Sequence, residues 1–201
     1  PKKVGYAIGM NIGLNLNKQE VDIDKGQVVA GLKDSLMGEK TLIDQQEMQM
    51  LLAALQQSMQ QKQQQAVAAM AEENAKQAEA FMAENGKKEG VETLPSGLQY
   101  RVVSEGDGVS PTAESTVEVH YKGTLVDGTE FDSSYKRGEP ATFPVGGVIA
   151  GWTEALQLMK EGAKWELAIP PALAYGERGA PPVIPPNAAL VFEVELLKVA
   201  K

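Results

Sequence analysis

Val148-Ile149-Ala150-Gly151-Trp152, followed at once by Thr153-Glu154-Ala155-Leu156, reads as a loop that turns into a short helix. Gly146 and Gly147 mark a flexible turn before it. Leu156 and Met159 continue the apolar face begun by Trp152, and Gly162 is expected to stop the helix. A Trp at the start of such a helix is most simply a core residue. Its prospective company argues for more: Tyr121, Phe131, Tyr175, Val183, Ile184 and Phe192 are all apolar or aromatic and fall in the same part of the chain.

Working outward, the composition changes sharply near residue 90. Before it lies one Pro, at the first position, in a segment rich in Gln, Ala, Met and Glu; the other ten of the 11 Pro follow it, among short Val-rich runs. We therefore expect an all-helical N-terminal part and a β-rich C-terminal domain. The net charge of −8 leaves no basic stripe to neutralise phosphates, so nucleic acid is not expected as a partner. The chain has no Cys and one His, which removes disulfides, thiol chemistry and the usual metal sites; no metal or cofactor is expected. No apolar run approaches the roughly 20 residues that span a bilayer. The sequence starts at Pro1 without an initiating Met, so processing or trimming is expected.

In the N-terminal part, residues 4–16 are apolar almost all round, with Gly5, Gly9 and Gly13 along one strip. A second helix is expected from Asp24, with Gly38 as its left-handed stop. A third begins with Asp44 as N-cap and Glu47 three places on. No Pro or Gly interrupts it before Gly86, which predicts a helix of about 42 residues, about 63 Å long. Met48, Leu52, Leu55 and Met59 form a heptad-like seam in its first half. Past Gln60 the Gln-rich run has no apolar face, and Val67, Met70, Ala71, Ala78, Phe81 and Met82 give a thin stripe, so the second half is expected to be solvated. Two short helices and half of a long one cannot bury their apolar faces alone, which predicts a homodimer through residues 1–60. The resulting division is a helical dimerisation domain at 1–43, a connecting helix at 44–90 with its second half a stalk, and a C-terminal domain at 91–201.

The C-terminal domain carries strand signals. Leu98, Tyr100 and Val102 alternate with polar neighbours, as do Val117, Val119 and Tyr121, which turns Tyr121 inward and His120 outward. Asp127-Gly128 marks a hairpin turn. Lys164–Ile169 and Leu190–Val199 read as further strands around one short helix, an α+β arrangement with an antiparallel sheet wrapped over that helix.

VHYKGTLVDGTEFDSS, GVIAGWTEAL, LAYGERG and IPPNAALVFEVELL occur in that order. Together they resemble the FK506-binding-protein family of peptidyl-prolyl cis-trans isomerases. The N-terminal part, with YAIGMNIGLN and the long helix, is similar to the bacterial macrophage-infectivity-potentiator type of that family, whose members are V-shaped homodimers. The resemblance implies that Trp152 is the floor on which a proline ring sits, with Phe131, Val148, Ile149, Val183, Ile184 and Phe192 as walls. It implies catalytic roles for Tyr121, Tyr175 and Asp132. Tyr175 and the Ile149 N–H would donate to substrate carbonyls, and Arg137 would pair with Asp132. Phe143, Leu156, Leu190 and Val194 are read as plain core. Ala180, Ala141 and Gly147 depart from the better-known eukaryotic pattern, which implies a more open, less polar rim. The implied partners are proline-containing unfolded or extended protein clients and FK506- or rapamycin-type macrolides. The implied location is the periplasm or outer membrane of a Gram-negative bacterium, with the cytoplasm as the alternative. The competing functional reading is a non-catalytic chaperone or adhesion module that binds proline segments; a plain coiled-coil spacer would account for the long helix alone.

Overall fold

A computed structural model describes residues 1–19 and 21–200. It divides into two compact units, Pro1–Met59 and Gln60–Lys201.

The first unit holds α1 (Lys2–Lys18), α2 (Lys25–Met37) and the start of α3 (Gln45–Asn85). The expected caps are in place. The Asp24 side chain accepts from the Gln27 N–H, and Gly38 closes α2 in the left-handed conformation with φ 67°. Asp44 accepts from the Glu47 N–H at 2.8 Å and starts α3. Neither α1 nor α2 contains a fully buried residue. Val4, Tyr6, Leu36 and Leu42 are 64, 74, 73 and 83 % exposed. Between α1 and α2 lies a groove lined by Ile12, Leu16, Val28 and Leu32. This unit has helices but no interior of its own.

The second unit is an antiparallel sheet of seven strands. They are β1 (Val91–Thr93), β2 (Gln99–Ser104), β3 (Thr116–Leu125), β4 (Glu130–Ser133), β5 (Ala141–Pro144), β6 (Lys164–Ile169) and β7 (Leu190–Ala200). The order is β1-β2-β6-β7-β3-β4, with β5 also paired to β3. β3 can serve two partners on one edge because its first residues, Thr116–Val119, pair with β5 and its later ones, Lys122–Thr124, with β4. Residues directly opposite across a sheet share a face, so Leu167, Phe192 and Gly123 line one side, as do Trp165, Val194 and Tyr121. Helix α5 (Ala150–Leu158) lies on that side. The core is Leu98, Val117, Val119, Leu156, Met159, Leu167, Ile169, Leu190, Val194 and Leu196, each at 1 % exposure or less. The chain is thus α+β, with the sheet wrapped over α5.

Four details differ from the sequence reading. α5 ends at Leu158 with an extended Met159, so Gly162, at φ 93°, belongs to the following turn and does not cap the helix. A one-turn helix, α4 (Ser134–Arg137), follows β4. A short first strand, β1, precedes the strands read from alternation, because Val91–Thr93 pairs with Gln99–Arg101. The fourth concerns α3 beyond Gln60. Residues 60–70 are exposed, as expected, but Ala71, Asn74, Ala78, Phe81 and Met82 form a buried or half-buried stripe. Gln99 bonds this helix, donating to the Met82 carbonyl at 2.8 Å and accepting from Asn85 at 2.9 Å. The stretch from Ala71 to Asn85 is therefore docked on the β-domain and is not a solvated stalk. Small and amide side chains, Ala71, Asn74, Ala78 and Asn85, make up much of the contact beside Phe81 and Met82, and those carry almost no hydrophobic signal.

Candidate active site

Tyr121 reaches the inner face because β3 alternates, and Val117, Val119 and Tyr121 are buried while their neighbours are less so. Gly123, two places on, lies under two rings: a Cβ there would come within 2.6 Å of Phe131 Cζ and 2.7 Å of Phe192 Cε1. Only a residue without a side chain lets both rings come this close to β3. Gly151 plays the same part for α5, since a Cβ would come within 2.6 Å of Ile169 Cγ2. The helix is further pinned by Thr153, whose hydroxyl donates to the Val145 carbonyl at 2.7 Å.

This close approach sets Trp152 at the centre of an aromatic cluster. Its ring meets Tyr121 at 5.2 Å, Phe192 at 5.2 Å and Phe143 at 5.8 Å, each close to perpendicular. Phe131 stands at 5.5 Å from Phe192, again edge to face. Such geometry sets the positive edge of one ring against the negative face of another. Trp152 is 4 % exposed, and its indole N–H is buried without a hydrogen-bond partner.

Beside this apolar cluster stands a compact polar triad. The Tyr121 hydroxyl donates to Asp132 Oδ2 at 2.5 Å. Arg137 donates from Nη1 to Asp132 Oδ1 at 2.5 Å and from Nη2 to the Tyr121 oxygen at 2.8 Å. Asp132 lies on β4, paired with Gly123 of β3, and α4 brings Arg137 back over it. Burial by itself would raise the Asp132 carboxyl, but the Tyr121 hydroxyl and the Arg137 guanidinium hold it below its ordinary value. Burial, and then the bond to Asp132, raises the Tyr121 phenol above its ordinary value. The pair therefore stays carboxylate and neutral phenol at neutral pH.

Val148 and Ile149 are half-buried against the same core, at the turn leading into α5. Ile149 is the N-cap residue, and the amides of a first helical turn point out of the helix without partners within it. Ile184 is buried and belongs to the core cluster, whereas Val183 and Tyr175 are exposed on their loops at 48 and 42 %. The loop carrying Val183 and Ile184 is closed on itself: the Ala180 N–H donates to the Ile184 carbonyl at 2.8 Å, and the return bond is 3.0 Å.

The structure thus brings Tyr121, Phe131, Trp152, Phe192, Asp132 and Arg137 into one contact network. Phe143, read from the sequence as plain core, belongs to it too, since its ring lies 5.8 Å from both Tyr121 and Trp152. The alternation in Ala141–Pro144, with Ala141 and Phe143 inward, was the available signal. Leu156, Leu190 and Val194 are core. His120 points outward as expected, stacks on Tyr135 at 4.7 Å and bonds Ser134 through Nδ1. Ser134 is the residue sequence reasoning missed. It is fully buried, and its hydroxyl accepts from the Tyr121 N–H at 2.8 Å, fixing the backbone from which that ring projects. A serine in FDSS carries no distinguishing signal in one sequence.

Comparison with known proteins gives the same architecture a family. Residues 108–197 match the profile of the FKBP-type peptidyl-prolyl cis-trans isomerase, and residues 1–102 match that of the domain amino terminal to it. A protein of Coxiella burnetii named peptidyl-prolyl cis-trans isomerase Mip is 48 % identical over 199 residues, covering 99 % of this chain and 86 % of its own. The FKBP-type 22 kDa peptidyl-prolyl cis-trans isomerase of Escherichia coli is 46 % identical, covering 98 % of this chain and 94 % of its own. The crystal structure of FkpA from Escherichia coli superposes with a TM-score of 0.85 at 41 % identity, covering 99 % of this chain and 94 % of that one. The chain belongs to the FKBP-type peptidyl-prolyl cis-trans isomerases, and it carries both the isomerase domain and the helical domain that precedes it.

Proposed function

We propose that this isomerase accelerates X-Pro rotation in the basin above Trp152 by binding the twisted amide better than either planar form. Amide resonance gives the bond a rotation barrier of about 18–20 kcal/mol, and the free reaction takes tens of seconds. Rotation moves no proton and forms no covalent intermediate. The twisted amide has lost its resonance and much of its dipole, so an apolar, water-poor basin favours it over the planar ground state. The observation that carries this reading is the edge-to-face cluster of Tyr121, Phe143, Trp152 and Phe192, with one ionised carboxylate at its edge.

In this mechanism the proline ring sits on Trp152 between Phe131, Val148, Ile184 and Phe192, with Val183 closing the outer side. The Ile149 N–H and the Tyr175 hydroxyl hold the flanking carbonyls. Asp132 fixes Tyr121 and presents negative charge to the amide carbon side, and Arg137 keeps Asp132 in place. The same basin would take FK506- or rapamycin-like macrolides. Clients are extended or unfolded chains containing proline, and folding assistance follows from that. Two copies would associate through the first unit, whose apolar side chains are exposed in a single chain. The relative from Legionella longbeachae, 42 % identical, is named outer membrane protein MIP, which favours a periplasmic or outer-membrane location. No helix among the described residues is long and apolar enough to cross a membrane.

The test is a protease-coupled isomerisation assay on a short X-Pro peptide with the intact chain and Asp132→Leu. The substitution leaves the Tyr121 hydroxyl and the Arg137 guanidinium without their carboxylate, and kcat/KM is expected to fall about tenfold or more. Unchanged turnover in a folded Asp132→Leu would overturn the site. An intact chain no faster than the free peptide would leave the non-catalytic proline-binding reading in its place.

A further inference from the structure

The two loops that close the outer side of the basin are tied to helix α3, a helix outside the sheet domain's motifs. Asn74, on the docked stripe of α3, donates from Nδ2 to the Pro186 carbonyl at 2.8 Å. Asn187 donates from its own Nδ2 to the Ala71 carbonyl at 3.2 Å, so the two amides form a reciprocal clamp. The backbone N–H of Asn187 then donates to the Gly176 carbonyl at 2.8 Å. Gly176 follows Tyr175, and Pro186 lies two residues after Ile184. One residue therefore joins α3, the Tyr175 loop and the Val183–Ile184 loop.

Asn187 also has the one positive φ of a non-glycine residue among those described, at 55°. Asn tolerates that region better than other side chains because its short amide can bond locally. Here the amide bonds the helix. Asn74 lies more than 100 residues away from it in sequence.

We propose that Asn74 and Asn187 are positioning residues for the isomerase reaction: docking of α3 holds the Tyr175 and Val183–Ile184 loops in the binding-competent arrangement. This rests on the reading of Tyr175, Val183 and Ile184 as walls of the site. The alternation of Ala71, Asn74, Ala78, Met82 and Asn85 at helical spacing keeps the clamp in register, with Ala78 only 3 % exposed. The Ala180–Ile184 pair and the buried Ile184 hold the base of the loop, but Val183 is half exposed, so without the clamp the outer part of the loop samples open states. When only a fraction of molecules is competent, apparent affinity drops by that fraction while the bound complex turns over as before.

The experiment uses the full chain. Asn74→Ala removes one donor at a helical position that favours Ala, and Asn187→Gly removes the other while keeping the positive φ. Lys76→Ala, on the solvent side of the same helix, is the control. In the double variant, KM for a short X-Pro peptide is expected to rise by about fivefold to about 150-fold, the range of losing two ordinary hydrogen bonds, with kcat within about twofold. Amide exchange at Ala180, Ile184 and Asn187 is expected to rise by a similar factor, while Val119, Leu167 and Val194 in the sheet stay protected. A fall in kcat at constant KM, with exchange rising across the sheet, means lost folded molecules and overturns the positioning role. Unchanged loop exchange overturns the clamp. Faster loop exchange with unchanged KM refutes the assignment of these loops as walls, and the positioning role with it.

Discussion

Gly123→Ala is the sharpest probe of how the fold builds the site. The substituted Cβ would stand 2.6 Å from Phe131 Cζ and 2.7 Å from Phe192 Cε1, where contacts below 3.4 Å are already tight. Both rings must retreat, each by about 0.7–0.8 Å, to reach ordinary contact. Phe192 is 5 % exposed and locked edge-on against Trp152 and Phe131, so it has little room. Phe131 is only half-buried and yields first. Overpacking of this kind costs about 1–3 kcal/mol. For a unit of this size that lowers the melting temperature by about 3 °C per kcal/mol. Both Trp residues lie in the second unit, so intrinsic fluorescence follows its unfolding alone. A displacement of about 1 Å at a reacting centre can cost up to about a hundredfold in rate. We expect kcat/KM on a short X-Pro peptide to fall about tenfold or more, while the enzyme remains folded at room temperature. Phe131→Leu in the same background relieves one of the two clashes and should recover part of the stability but not full turnover, since the Phe192 contact remains. A Gly123→Ala enzyme with wild-type kcat/KM would refute the reasoning, because it would mean that ring placement over β3 does not set the site.

The acid limb follows from Asp132. Its folded-state pKa is lowered, so its stabilising contribution is complete above the unfolded value of about 3.9 and fades as pH falls from there through the folded value. Thermal unfolding between about pH 6 and pH 3 should therefore show an acid loss that is smaller in Asp132→Asn than in the parent; equal losses would remove Asp132 as a contributor. In the first unit, Leu52 is 56 % exposed and lies on the α3 seam with Met48 and Leu55. Leu52→Glu should leave each chain folded but shift the mass seen by light scattering from twice 21.5 kDa toward one chain, with peptide turnover within about twofold. A parent chain already monomeric at micromolar concentration would dispose of the dimer.

Much of this was legible from the chain alone, for definite reasons. Period-two alternation fixed β3 and therefore put Tyr121 inward and His120 outward, because successive strand side chains must face opposite ways. Asp24, Gly38 and Asp44 announced helix ends, because orphan amides and carbonyls need caps and left-handed backbone favours Gly. The four C-terminal motifs named the family.

What the tertiary structure decided are relations between residues far apart in the chain. Phe143 joins the basin because β5 pairs with β3 and so brings its ring to Tyr121 and Trp152. Ser134 matters because α4 folds under β3 and places a hydroxyl on the Tyr121 amide. Gly123 and Gly151 matter because of what passes over them, and a missing side chain leaves no trace in hydrophobic patterning. The docking of α3 is the clearest case. The apolar stripe there is thin and is broken by Asn74 and Asn85, so the sequence by itself determined only that residues 45–85 are helical. Only the fold decided that Asn74 meets Pro186, since a hydrogen bond across 112 residues depends on where the sheet sets both partners.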